Sequence, residues 1–498
     1  MEVLQHVLNG FAVAAQPVNI AYLFAGCVLG TIIGVLPGVG PAAGIALLLP
    51  VTAGMPATSA LIMLAGIYYG AMYGGSTTAI LINTPGESGS VMTTIDGYQM
   101  ARNGRAGAAL AISAIASFIA GTLGIVLLTL LAVPLSTFAI RFGPAEYFTL
   151  MVFALTAASA LGGDSFAKGM ISTVLGLIVA TVGVDLQSGQ ARYTFGLPQL
   201  QEGFSFIVVV VGLFAVSEVF IAIEEHLSGT AKPMRVTGPI WLTRDEWRRS
   251  VKPIARGGIV GFLVGVLPGA GSTIASILAY SIEKKWARDP SRFGKGAIEG
   301  VAAPEAANNA STAGAMVPLL TLGVPGSGAT AIIMGAFIIY GIQPGPLLFQ
   351  SQPALVWGLI DSMYLGNVML LVLNLPLVGL FVRVLYIPTG ILLPLILAIS
   401  SIGVYSVNYS VFDLYVALAF GGIGYAFRKL GVPTAPLVLA LVLGGMMEQS
   451  FRQAMTISSA NPVIFVQSGI SVTLLVATVL SIAVPLVMAR RKRRRGPA

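Results

Sequence analysis

The sequence predicts an all-α polytopic membrane protein of about 12 spans, built as two inverted repeats that each contain broken or re-entrant helices. Three observations carry that prediction. The 498 residues are 56% hydrophobic and 9% charged, against about 25% charged residues in a soluble globular domain. Long apolar runs recur from Asn19 to Met488, and roughly 20 helical residues cross a hydrocarbon core of about 30 Å. Two polar, helix-breaking motifs occur twice in the same order, and internal duplication is a recurrent architecture of secondary transporters. A transmembrane β-barrel would instead show alternating segments of about ten residues.

From the N-terminus, MEVLQHVLNG has no basic n-region, so no cleaved signal peptide is expected. The first motif, GVLPGVGP at 34–41, returns as GVLPGAGS at 265–272, an offset of 231 with six of eight positions identical. Pro37, Gly38 and Gly40, with Pro268, Gly269 and Gly271, are the helix breakers there. The second motif, GGSTTAILINTPGESGS from 74, corresponds to NASTAGAMVPLLTLGVPGSGA from 309. Aligning Pro85 with Pro325 sets its offset at 240.

Loop charges orient the halves. Residues 51–60, between the two motifs, carry no charge, whereas 283–299 holds Lys284, Lys285, Arg288, Arg292 and Lys295. After the second motif the bias reverses: Arg102 and Arg105 follow the first copy, and 342–353 is uncharged. Basic loops prefer the cytoplasm, so the halves are expected to be inverted. Apolar runs at 110–133, 168–184 and 205–223 complete the first half, residues 1–225. The linker 226–256 is basic, with Lys232, Arg235, Arg244, Arg248, Arg249, Lys252 and Arg256, and is assigned to the cytoplasm.

The second half, 257–489, begins with one apolar stretch, 257–282, lying between two basic loops. A re-entrant hairpin turning at LPGAG (267–271) keeps both loops inside, and a kinked single span is the alternative. Runs at 411–427 and 470–489 follow, then the tail 490–498. Its RRKRRR segment places the C-terminus in the cytoplasm, where it also meets anionic lipid. The net charge of +8 is therefore a topology signal and not a nucleic-acid one.

The polar residues point to binding. Lipid offers no hydrogen bonds, so Asn, Ser and Thr inside a membrane must find partners in protein. Freed carbonyls with Asn, Ser and Thr oxygens suit Na⁺, and freed amides at a half-helix N-terminus suit a carboxylate. The first copy offers Ser76, Thr77, Thr78, Asn83, Thr84, Pro85, Gly86, Glu87 and Ser88. The second offers Asn308, Asn309, Ser311, Thr312, Pro325, Gly326, Ser327 and Gly328. Brought together at a pseudo-twofold axis, they would make one substrate and ion site. The plainer reading is that each Ser or Thr bonds back to its own helix, with Gly permitting close packing. Asp361, on a segment with Asn367 and Asn374, is the leading acid outside the motifs. Glu218, Asp413 and Glu448 stand near segment ends, and Glu305 follows Pro304 where an acid suits a helix start.

Other chemistries find no support. Cys27 is the one cysteine, and His6 and His226 lie far apart, so no transition-metal site is expected. GVGPAA at 38–43 and GSGATA at 326–331 fit a loose dinucleotide pattern without its strand or later acid. P-loop, HExxH and GxSxG motifs are missing, so neither enzymatic activity nor a cofactor is expected.

GVLPGVGP, INTPGESGS, LPGAGSTIAS and PEAANNASTAGAMVPLLTLGVPGSGATA strongly resemble the large membrane subunit of tripartite tricarboxylate transporters, the TctA family. The resemblance covers about residues 15–490. It implies an inner-membrane permease that works with a small TctB-type membrane subunit and a periplasmic TctC-type solute-binding protein. It implies uptake of carboxylates such as citrate, driven by a Na⁺ or H⁺ gradient without ATP, and by analogy an elevator-like motion. On that reading Asn83–Ser88 and Val324–Gly328 hold the anion. Ser76, Thr77, Thr78, Asn308, Asn309, Ser311 and Thr312 hold the cation. A passive channel or structural subunit is the alternative class, and the oligomeric state stays open, a homodimer included.

Overall fold

The computed structural model describes residues 2–163, 165–185, 187–228, 240–387 and 389–494. Linker residues 229–239, with Lys232 and Arg235, lie outside the described residues, as does the tail from 495. The first half runs through α1 (Glu2–Ala14), α2 (Pro17–Val35), α3 (Gly40–Leu48), α4 (Ala57–Ile82), α5 (Val91–Met100), α6 (Ala106–Ala139), α7 (Pro144–Leu161) and α8 (Phe166–Ala180). A small antiparallel hairpin, β1 (Gly183–Val184) with β2 (Ala191–Arg192), leads into α9 (Phe206–Val210) and α10 (Ser217–Ser228). The second half contains α11 (Arg244–Val266), α12 (Gly271–Trp286), α13 (Glu299–Leu322), α14 (Gly328–Ile339), α15 (Leu348–Ser351) and α16 (Pro353–Asn374). It closes with α17 (Val378–Val382), α18 (Thr389–Asn408), α19 (Val411–Leu430), α20 (Ala435–Ile457) and α21 (Gly469–Arg494).

Among the described residues, seven helical segments are long and apolar enough to cross a membrane, against the expected 12 or so. They lie at 17–35, 88–139, 144–161, 206–224, 353–374, 390–408 and 411–430. Part of the shortfall has a chemical cause. α4 and α13 have 26 and 24 residues, long enough to span, but carry Tyr, Gly, Ser, Thr, Asn and Glu where a lipid-facing helix carries Leu and Ile. α3, α8, α12 and α14 are only 9, 15, 16 and 12 residues long.

The two central helix pairs are held by small residues. Gly26, Gly30 and Gly34 of α2 face the backbone of Met63, Ile67 and Ala71 on α4. A Cβ on Gly30 would lie 2.8 Å from Ile67 Cα. Gly257, Gly261 and Gly265 of α11 face the backbone of Ala303, Ala307 and Ser311 on α13 in the same way. These positions differ by 231 on the first helix of each pair and by 240 on the second, the two offsets of the sequence motifs. Without a hydrophobic drive between helices in lipid, such close backbone approach supplies the packing energy.

Both first motifs end a helix at the residue before proline. Leu36 (φ −81°, ψ 119°) and Leu267 (φ −79°, ψ 121°) adopt the extended conformation that a following proline imposes. After 267–270 the chain doubles back, so that Arg256 of α11 pairs with Glu283 of α12 at 2.5 Å. The two helices α11 and α12 therefore lie alongside each other. Asp96 of α5 ties the first half to the second. Its carboxylate accepts the amides of Gly294, Gly296 and Ala297 at 2.8–2.9 Å and the Tyr280 hydroxyl at 2.9 Å.

Candidate functional site

The turn at each LPG tip requires glycine. Gly38 and Gly269 have φ of 83° and 80°, which an L side chain rarely adopts. Immediately beyond them begin α3 and α12, and no side chain caps either N-terminus. Each uncapped first turn presents free amide groups and a partial positive charge of about half an elementary unit.

The second motif makes another break. α4 ends at Asn83 (φ 56°) and α13 at Gly323 (φ 69°), both left-handed C-terminal residues. The chain then passes Pro85–Gly86 or Pro325–Gly326 and enters a capping box. On the first side, Gly89 N–H donates to Glu87 Oε2 at 2.6 Å. On the second, Thr330 N–H donates to Ser327 Oγ at 3.2 Å. A carboxylate already occupies one N-terminus and a neutral hydroxyl the other.

All four breaks border one cavity of about 770 Å³. Gly38–Ala42 and Gly269–Ile274 form two sides; Pro85, Glu87 and Ser88 form a third, and Ser327–Ala329 a fourth. Arg428 of α19 is the one Lys or Arg among the described lining residues, and it pairs with Glu218 at 3.4 Å. The volume suits a small organic ion.

Two cross-contacts join the halves at the wall. Asn308 Nδ2 of α13 donates to Glu87 Oε1 at 2.9 Å. Tyr68 OH of α4 meets Ser327 Oγ at 3.2 Å. Positions 68 and 308, like 87 and 327, differ by 240. A second buried acid, Glu305, accepts the hydroxyl of Ser76 at 2.5 Å and that of Thr93.

The residues named from sequence fall into three groups. Pro85, Glu87, Ser88, Ser327 and Gly328 line the cavity, as do Gly38, Gly40, Gly269 and Gly271. Gly86, Val324, Pro325 and Gly326 are buried beside it, while Asn83 and Thr84 end α4, with the Thr84 hydroxyl bonded to Ile82 O. Pro37 and Pro268 shape the tips. The residues read as cation ligands have separate hydrogen-bond partners. Ser76 serves Glu305, Asn308 serves Glu87, and Asn309 Nδ2 donates to Ser117 Oγ (2.6 Å) and to Glu305 O (3.2 Å). Thr77 is buried, and Thr78, Ser311 and Thr312 bond to carbonyls of their own helices.

Asp361 is fully buried, with neither carboxylate oxygen partnered, but it faces Gly10 of α1 and not the cavity. Asp413 accepts from Asn408 Nδ2, and Glu448 pairs with Arg192 and Arg452. Sequence reasoning passed over Tyr68, Gly89, Asp96, Ser272 and Arg428. Subtracting 240 from Asn308 would have found Tyr68, and Gly89 lies inside the first-half motif itself. Asp96, Ser272 and Arg428 carry no signal outside the folded chain.

Residues 20–439 match the family described as the tripartite tricarboxylate transporter TctA family. The chain is 47% identical over 494 residues to a protein of Agrobacterium vitis described as an uncharacterized 52.8 kDa protein in the TAR-I ttuC' 3' region, covering 99% of this chain and 98% of that one. A second A. vitis protein, described as an uncharacterized protein in the TAR-II ttuC' 3' region, is 47% identical over 234 residues, 47% of this chain and 97% of its own length. No solved structure matches. With the family match spanning most of its length and a full-length relative at this identity, the chain belongs to the tripartite tricarboxylate transporter TctA family, a family of membrane transport proteins.

Proposed function

We propose that the chain is the large permease subunit of a secondary carrier that imports tricarboxylates or related carboxylates such as citrate, coupled to a Na⁺ or H⁺ gradient. It works in the bacterial inner membrane with a small TctB-type subunit and a periplasmic TctC-type binding protein. The halves 1–225 and 257–489 act as inverted repeats, joined by a cytoplasmic linker at 226–256, with the basic tail also cytoplasmic. What supports the duplication is the repetition of glycine ridges, breaks and capping boxes at offsets of 231 and 240.

The observation that carries the reading is one cavity bordered by both copies of both motifs, with two uncapped helix N-termini on its wall. Free amides there, with residues of the Asn83–Ser88 and Val324–Gly328 breaks, hold an anion. The cation is held by the polar region that carries Ser76–Thr78, Asn308, Asn309, Ser311 and Thr312, with Asn308 the member of that set that reaches the cavity wall through Glu87. Cation binding offsets the anion's charge, so the loaded site crosses more readily than a half-loaded one. An elevator-like displacement of the hairpins then changes which side the cavity meets. On this reading Asn309→Ala depresses uptake and raises the Na⁺ requirement while membrane insertion persists.

The test is uptake of labelled carboxylates into vesicles holding this chain and its small subunit, with the binding protein outside. One carboxylate should accumulate only with the binding protein and an inward cation gradient. Equilibration without accumulation, unchanged by an ionophore, would make the protein a channel.

A further inference from the structure

We infer that Glu87, Asn308 and Ser272 form a Na⁺ site behind the cavity wall, beside Gly89, an inference that rests on the carrier reading above. The starting observation is an unsatisfied oxygen. Asn308 is fully buried; its Nδ2 is used by Glu87, yet its Oδ1 has no hydrogen-bond partner. That oxygen faces Gly89. A Cβ built on Gly89 would collide with Asn308 Oδ1, and would lie 2.7 Å from Ser272 Oγ and 2.8 Å from Glu87 Oε1. A carboxylate, an amide and a hydroxyl oxygen, from three separate elements, thus converge beside Gly89, where any side chain would push them apart.

The donor set specifies the ion. Hard oxygens with a single formal negative charge suit a monovalent alkali cation, since Ca²⁺ asks for more carboxylates and Mg²⁺ for octahedral, largely hydrated coordination. A proton would neutralise Glu87 but leave the Ser272 hydroxyl oxygen unused. The pseudo-equivalent position is an internal control. Offset by 240, Glu87, Asn308 and Gly89 become Ser327, Tyr68 and Ala329; offset by 231, Ser272 becomes Pro41. There the acid is lost, the amide is lost, a methyl fills the space and the hydroxyl is gone. Of the two pseudo-equivalent positions, only the one at Glu87 has the ligands.

The site's position gives it a role. Glu87 lines the anion cavity, and two anions brought together at low dielectric repel strongly. Na⁺ beside Glu87 removes that repulsion, so the anion binds well only after the cation.

The experiment is Na⁺ binding to the purified full-length chain, read as ²²Na⁺ retention and as thermal stabilisation by NaCl against KCl at equal ionic strength. Wild type should bind saturably. Gly89→Ala introduces no backbone strain and displaces only side-chain ends, so it should fold and lose Na⁺ affinity by about 100-fold, and Glu87→Gln likewise. Ser272→Ala, which cannot disturb the Glu87 cap, should weaken binding about tenfold. Binding unchanged in Gly89→Ala and Ser272→Ala overturns the site. Stability that follows pH and ignores Na⁺ in wild type also overturns it, in favour of a proton. Na⁺ binding with these mutant effects, but no concentrative uptake in vesicles, keeps the site and rejects the carrier reading instead.

Discussion

After α4 the chain turns through Asn83, Pro85, Gly86 and Glu87; after α13 it turns through Gly323, Pro325, Gly326 and Ser327. The backbone is the same in both: a left-handed residue, a proline, a glycine packed on the neighbouring helix, then a capping box. Only the side chains differ. The first turn places a carboxylate against an amide, Glu87 with Asn308, and the second a hydroxyl against a phenol, Ser327 with Tyr68. The difference separates two requirements. Geometry that builds the cavity is kept at both turns, and chemistry that would select an ion is confined to one of them.

The largest effect should come from breaking what the halves share. Gly30→Leu and Gly261→Leu each drive a side chain into the backbone of the partner helix, with no flexible group able to yield. Each should cost about 3 kcal/mol or more and abolish monodisperse protein on size-exclusion chromatography. Gly422→Leu and Gly445→Leu, whose added Cβ meets nothing within 4 Å, should behave as wild type. If one ridge tolerates leucine and the other does not, the packing is not equivalent.

Exchanging the caps tests what the halves do not share. Glu87→Ser preserves a cap of the kind seen at Ser327 and removes the charge. Vesicle uptake should fall about 100-fold and the remainder should lose its dependence on Na⁺. Ser327→Glu keeps Glu87 but adds an anion to the neutral wall. It should depress uptake comparably while leaving Na⁺ binding intact. Equal Na⁺ affinity in both variants would remove the proposed asymmetry.

How much of this the chain announces beforehand depends on sequence distance. The breaks were legible because Pro and Gly act locally: Pro37, Gly38, Pro268 and Gly269 end their helices whatever surrounds them. The repetition of the motifs was legible, and the glycines at 26, 30 and 34 and at 257, 261 and 265 share its offset of 231. The convergence on one cavity was not legible. Glu87 and Asn308 are 221 residues apart, and which atom of Asn308 faces Gly89 depends on how α12 and α13 pack. Several of the residues read as cation ligands are engaged elsewhere for a related reason. Ser and Thr in a helix can satisfy themselves on the preceding turn, as Thr78, Ser311 and Thr312 do, and composition cannot reveal that. Span counting fell short because the helices that build the cavity are polar or short.

A smaller effect is expected at Arg428, which meets the cavity from α19, outside both duplicated motifs. Its partner Glu218 lies 3.4 Å away and the arginine side chain is 57% exposed. Arg428→Gln should raise the KM for the carboxylate about fivefold, the scale of a partly exposed ion pair, with maximal rate and Na⁺ affinity unchanged. A change in Na⁺ affinity instead would tie α19 to the cation side of the cavity.

The smallest effect belongs to the β hairpin, remote from the comparison and useful as its baseline. Asp185 is held well below the usual carboxylate range, by the Gln187 amide and then by the Arg452 guanidinium. Arg452 also bonds Glu448, which accepts from Arg192, so the cluster fastens the hairpin to the end of α20. A depressed carboxyl pKa adds stability above the unfolded value of about 3.9, and that stability is lost as pH falls through the lower folded value. Asp185→Asn should therefore lower the thermal midpoint slightly at neutral pH, by about 2 °C at most, and the gap from wild type should narrow in acid. The cluster is partly exposed, so added salt should shrink the gap as well. A gap that persists in both acid and salt would show that Asp185 acts through its bond to the Gln187 amide, as a turn former, and not through its charge.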